Sequence, residues 1–127
     1  MYTFEDLIQI VEKLRDKDQG CPWDKEQTHE SMKKCLTDEC QEVLWAIDNR
    51  DMENLCEELG DLLFQVMIHS QIGKEENEFT IADVIDGICR KMVYRHPHVF
   101  GDVKVSSTAE SNELWKILKN NEKGKKP

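Results

Sequence analysis

The segment MENLCEELGDLLFQVMIHSQIGK, residues 52–74, decides the fold. From Leu59 to Ile72 it is apolar nearly all round, with Leu59, Leu62, Leu63, Phe64, Val66, Met67, Ile68 and Ile72. The spacing predicts one long helix from Met52 to Lys74, buried on more than one side. In a chain of 127 residues, one domain by length, that requires a central position or a subunit interface. Upstream, Met32, Leu36, Val43 and Ile47 form the stripe of a helix from Thr28 to Asp48. Asn49-Arg50-Asp51 is then a short connection between antiparallel neighbours. Further back, Phe4, Leu7, Ile8, Val11 and Leu14 mark a helix from Thr3, its N-cap, to Lys17, before a loop (Asp16 to Glu26) punctuated by Gly20 and Pro22. Downstream, a helix from Thr80, with Asp83 placed for a capping-box bond, turns Ile81, Val84, Ile85, Ile88, Met92 and Val93 inward. It stops at His96, because Pro97 disfavours helical geometry there. A loop from His98 to Ser106 leads to a fifth stretch, Thr108 to Asn120, carrying Leu114, Trp115 and Leu118. The expectation is an all-α bundle of five helical stretches whose core helices are shared across an oligomer. Its domain covers residues 1–121, with a disordered basic tail over 122–127.

Composition removes several function classes. No apolar run approaches the ~18 residues of a membrane span, and Glu5 and Asp6 stand where a signal peptide would carry basic residues. Five cysteines form an odd set with no C-x-x-C pair, which fits a reducing cytoplasm better than disulfides or zinc. A formal charge of −9 argues against direct gripping of a nucleic acid polymer. A small polyanion remains accessible if a cation mediates.

The anomaly is acidic. At about 100° per residue, Glu39 falls roughly 40° from Val43, inside the apolar stripe rather than on its polar back. Glu42 sits one turn on, with Asp38 just beyond, and Glu58 and Asp61 form a second i,i+3 pair on the next helix. Buried unpaired carboxylates protonate or repel one another unless a cation binds among them. All-oxygen ligation suits Mg²⁺ or Mn²⁺. The competing reading is a solvated face, since the chain has 26 acidic residues. A di-iron bundle would need Glu-x-x-His turns, and neither Glu39-Cys40-Gln41-Glu42 nor Glu58-Leu59-Gly60-Asp61 supplies one.

Asp38-Glu39-Cys40-Gln41-Glu42 followed by Glu58-Leu59-Gly60-Asp61 resembles the E-E-x-x-E … E-x-x-D signature of the MazG nucleoside triphosphate pyrophosphohydrolases. Gly20-Cys21-Pro22-Trp23-Asp24, EELGDLLFQ (57–65) and RHPHVFGD (95–102) are similar to the same family, the last to its N-terminal copy. The resemblance runs from about Phe4 to Leu118. It implies the all-α NTP pyrophosphatase fold, as a homodimer or dimer of dimers. It also implies Mg²⁺-dependent hydrolysis of (deoxy)nucleoside triphosphates to monophosphate and pyrophosphate, and a part in clearing unwanted nucleotides. By motif, Glu39, Glu42, Glu58 and Asp61 would ligate metal, and Lys91 and Arg95 would contact substrate phosphates. Trp115 would lie near the nucleotide. Asp38 replaces the first glutamate of the signature and is one methylene shorter. Glu39 or Asp38 would be nearest the attacking water.

Some residues keep two readings. Trp23 either approaches the base or plugs the core. Lys91 and Arg95 also suit the C-terminal end of any helix. His96-Pro97-His98 reads as a turn before it reads as a metal site. Trp45, on the polar back of its helix, hints at an oligomer contact. The rival to an enzyme is a catalytically silent helical module that binds nucleotide or a partner.

Overall fold

The computed structural model of the protein describes residues 1–124, and the end of the expected basic tail, 125–127, lies outside them. Among the described residues there are seven helices and no strand. The chain divides into two compact units, Met1–Ile81 and Ala82–Pro127.

In the first unit, α1 (Phe4–Leu14) starts with a capping box. The Thr3 hydroxyl accepts from the Asp6 N–H at 3.2 Å, and the Asp6 carboxylate accepts from the Thr3 N–H at 2.8 Å. The expected loop contains a short helix, α2 (Pro22–Glu26), with proline at its first position. The next helix, α3 (Lys33–Asp48), begins five residues later than the periodicity predicts. Thr28 and Ser31 accept one another's backbone N–H groups at 3.0 and 2.8 Å, and such local bonds compete with helix formation. The long helix is α4 (Met52–Glu75).

The connection between α3 and α4 has a definite construction. Arg50 adopts φ 53° and closes α3 with a Schellman motif, in which Asp51 N–H donates to Ala46 O and Arg50 N–H to Ile47 O. Asp51 then caps α4 by accepting from the Asn54 N–H. The far end of α4 repeats the device with Asn77 at φ 58°: Glu78 N–H donates to Gly73 O and Asn77 N–H to Lys74 O. Phe79 folds back so closely that a Cβ on Gly73 would lie 2.8 Å from its ring.

α4 packs against α3 and α1. The core is Val11, Met32, Met67, Ile68 and Ile72, with Leu7, Ile8, Cys35, Phe64 and Ile81 against it. Phe4 and Leu36, expected in their stripes, are exposed, as are Leu59, Leu63 and Val66 on α4. Arg15, whose side chain is only 7% exposed, binds this unit together. Its Nη1 donates to the carbonyls of Asp24 and Gln27, while Nε and Nη2 grip the Glu75 carboxylate at 2.9 Å each. His29 and His69 lie parallel to within 4°, with their Nδ1 atoms 2.8 Å apart. That separation is too short for face-to-face stacking, so the rings meet edge to edge and share one hydrogen.

The second unit holds α5 (Ile81–Arg95, entered at its second residue), α6 (Pro97–Phe100) and α7 (Thr108–Gly124). Ile85, Ile88 and Val93 do not turn inward as predicted but are exposed. Within this unit only one short and one longer helix are available to cover α5, too little apolar surface to bury its whole stripe. Ser107 accepts from the Glu110 N–H at the start of α7. The same helix continues past the expected end at Asn120 to Gly124.

Candidate functional site

The hairpin of α3 and α4 brings the two acidic pairs to one place. Carboxylate oxygens of Glu39, Glu58 and Asp61 all lie within 4.8 Å of one another. Glu58 is 8% exposed, Glu39 is partly buried and Asp61 is exposed. Glu42, one turn beyond Glu39, shares a hydrogen bond with Glu58. Two carboxyl groups share such a bond only when one is protonated. That bond, then burial, then the charges of Glu42, Asp61 and Glu39, push Glu58 from its ordinary 4.5 up to about 7. Burial first, then the charges of Asp61 and Glu42, also raise Glu39.

Glu39 and Glu58 each keep a buried Oε2 with no hydrogen-bond partner among the described residues. Orphaned acceptors are costly, and ionised neighbours compound the cost. A divalent cation with oxygen preference relieves both, so the residues fit a metal of that class. Asp38 stands outside this set. Its exposed carboxylate pairs with Lys34 at 2.9 Å, though its charge still acts on Glu39.

The second unit gathers Lys91, Arg95 and Trp115. Arg95 Nε donates to Glu122 Oε2 at 2.6 Å, and its guanidinium lies 5.2 Å from the Trp115 ring centre. Lys119 approaches the same ring at 4.7 Å. Lys91 lines an open depression of about 600 Å³ with Gly87, Arg90, Tyr94 and Glu122. Trp23 on α2 belongs to the first unit and is exposed rather than a core plug. His96 is no ligand-like group: its Nδ1 bonds the Met92 carbonyl at 2.6 Å, as a turn requires.

Sequence reasoning missed Gln65, which is 4% exposed with an unpartnered Oε1. It lies one turn beyond Asp61 and two beyond Glu58 on the same helix face. A polar residue inside the apolar run 59–72 was its signal.

A family profile for the MazG nucleotide pyrophosphohydrolase domain matches residues 27–100, which include both acidic pairs and the Lys91–Arg95 turn. The chain belongs to the MazG family. It is 50% identical to the nucleoside triphosphate pyrophosphohydrolase/pyrophosphatase MazG of Thermotoga maritima, over 97% of this chain and 46% of that protein. It is 40% identical to the nucleoside triphosphate pyrophosphohydrolase of Escherichia coli K12, over 99% of this chain and 48% of that protein. Bacillus subtilis YabN, an uncharacterized protein, is 50% identical over 96% of this chain and 25% of its own length. The chain thus spans a quarter to about half of these MazG relatives. The crystal structure of a mazG-related protein from Thermotoga maritima superposes with a TM-score of 0.74 at 29% identity, covering 91% of this chain and 98% of that one. The all-α MazG fold follows.

Proposed function

We propose that this MazG domain hydrolyses (deoxy)nucleoside triphosphates to the monophosphate and pyrophosphate. It uses Mg²⁺, or Mn²⁺ in its place, held by Glu39, Glu42, Glu58 and Asp61. The observation that carries the reading is the pair of buried, partnerless carboxylate oxygens on Glu39 and Glu58 within a four-carboxylate set.

When bound, the cation neutralises the phosphate tail and makes a water molecule more acidic. The residues of the chain supply the rest. Glu58 releases the proton it shares with Glu42 as the site fills, so loading is favoured above its raised pKa. Glu39, raised above an ordinary carboxylate, is the stronger proton acceptor for a water attacking phosphorus, and Asp38 tunes it through charge. The attack forms one phosphorus–oxygen bond and breaks the bridge to the pyrophosphate, which departs as the anion. Lys91 and Arg95 take that anion, Arg95 with its fork of donors and Lys91 as a point charge. Trp115 supports Arg95, and Trp23 offers an aromatic face to the base.

The work we assign is removal of unwanted nucleotides in the cytoplasm. Among the described residues no helix is long and apolar enough to cross a membrane. A second copy of the chain, as a dimer or dimer of dimers, covers the exposed apolar residues of α3 and α4.

The test is incubation of purified protein with a panel of NTPs and dNTPs, in Mg²⁺ or in EDTA, with separation of the products. Monophosphate plus pyrophosphate appearing only with Mg²⁺ is the expected result. No turnover, with nucleotide still raising the melting temperature, would make the chain a silent binding module.

A further inference from the structure

Arg95 is already occupied. Its Nε–Oε2 contact with Glu122 is 2.6 Å, and the two side chains are only 12% and 24% exposed. The partner is itself an anion, on the last turns of α7. Glu122 also lines the depression that contains Lys91. It therefore pairs with one of the residues that the proposed function gives to the substrate phosphates and borders the same depression as the other. Of the other basic group there, Arg90 is engaged by Asp86 at 2.7 Å, whereas Lys91 has no ion-pair partner among the described residues.

We propose that Glu122 is an internal substitute for a substrate phosphate, holding Arg95 while the site is empty and giving way when a triphosphate docks. The proposal rests on the reading of Lys91 and Arg95 as phosphate contacts.

Three features make the exchange favourable. First, the carboxylate uses Nε alone among the Arg95 donors with recorded partners, leaving the rest of the fork for a phosphate with more oxygens and more charge. Second, Arg95 is held from its face by Trp115 at 5.2 Å, so the guanidinium keeps its place when its anion changes. Third, Lys119 lies 4.7 Å from the same ring, in the turn before Glu122. Arg95 and Lys119 thus bring two positive charges to one indole, which favours an anion beside them in both states. Glu122 supplies it in the empty protein at the expense of affinity, because a ligand binds only the fraction of molecules in which Arg95 is released.

The experiment is calorimetric titration of the full chain with inorganic pyrophosphate in the presence of Mg²⁺, for wild type, Glu122→Gln, Arg95→Ala and the double variant. Glu122→Gln keeps the shape of the side chain and removes its charge. It should bind pyrophosphate about two- to fivefold more tightly than wild type, the range for releasing one partly exposed ion pair. Arg95→Ala should weaken binding, and adding Glu122→Gln to it should give no gain. Unchanged affinity in Glu122→Gln, with a lower melting temperature, would reduce Glu122 to a structural brace and overturn the proposal. An equal gain in the Arg95→Ala background would also overturn it, since general charge would then be the cause. If Arg95→Ala binds as tightly as wild type, or if no variant binds at millimolar pyrophosphate, the phosphate reading itself fails and the exchange fails with it.

Discussion

Glu58 carries the clearest consequence at the scale of single residues. Its carboxyl is raised from 4.5 to about 7, chiefly by the hydrogen bond it donates to Glu42 and by burial. The folded state therefore holds a proton that the unfolded chain has released. This stabilises the metal-free protein fully below about pH 4.5, and the contribution disappears as pH rises through about 7. Melting temperatures in EDTA should fall across that window, and Mg²⁺ should restore them on the alkaline side. Glu58→Gln should remove both the decline and the response to Mg²⁺. A variant that still responds to Mg²⁺ would strike Glu58 from the ligand set. These carboxylates were legible in the sequence because Glu39 violates its stripe and helical spacing fixes which neighbours share its face. The separation of Asp38 was not legible. Its pairing with Lys34 depends on which way a side chain at the edge of the face turns.

Helix ends account for most differences in the elements. Thr3 and Asp51 announce their caps by residue type, and both caps form. Arg50 and Asn77 take the left-handed conformation without a glycine, so the two Schellman closures left only a weak trace. Thr28 is a good cap by composition, but its bond with Ser31 delays α3 to Lys33. Arg15 lies outside the apolar stripe of the first helix, and spacing carries no sign of its role. It joins the end of α1 to two carbonyls, of Asp24 in α2 and of Gln27 just beyond, and to Glu75 of α4. Arg15→Ala should cost about 2–4 kcal/mol in urea unfolding, because it strands a carboxylate and two carbonyls together. Arg15→Lys should recover little, since an ammonium cannot reproduce the planar fork. A loss below about 1 kcal/mol would show that water replaces the guanidinium freely.

For the molecule as a whole, the sequence required that α4 be central or lie at an interface, and the single chain meets half of that demand. One face is buried on α1 and α3, while Leu59, Leu63 and Val66 form an exposed stripe at i, i+4 and i+7. Leu44, Trp45 and Ile47 expose more apolar surface on α3. Self-association is the expected remedy. Leu63→Lys should shift the protein toward monomer in light scattering coupled to size exclusion, and an unchanged mass would clear this stripe of any role. Periodicity identified the helices but not how many neighbours each has, which is why Ile85, Ile88 and Val93 were wrongly turned inward. A stripe shows which side of a helix seeks cover, and only the tertiary arrangement says whether cover exists.

The hydrogen between His29 and His69 also sets a direction. Both Nδ1 atoms address it, so the neutral rings must be opposite tautomers. A buried N–H without an acceptor is rarer than an under-used lone pair. His69, whose Nε2 is buried and partnerless, therefore keeps that nitrogen bare and donates through Nδ1. His29 then bears its own hydrogen on Nε2, in a ring with a nitrogen within 4.8 Å of Glu76 and Glu78 oxygens. The imidazole whose Nε2 is buried thus fixes the proton arrangement of its half-buried neighbour, and a nitrogen-15 spectrum of the two side chains should read as one of each kind.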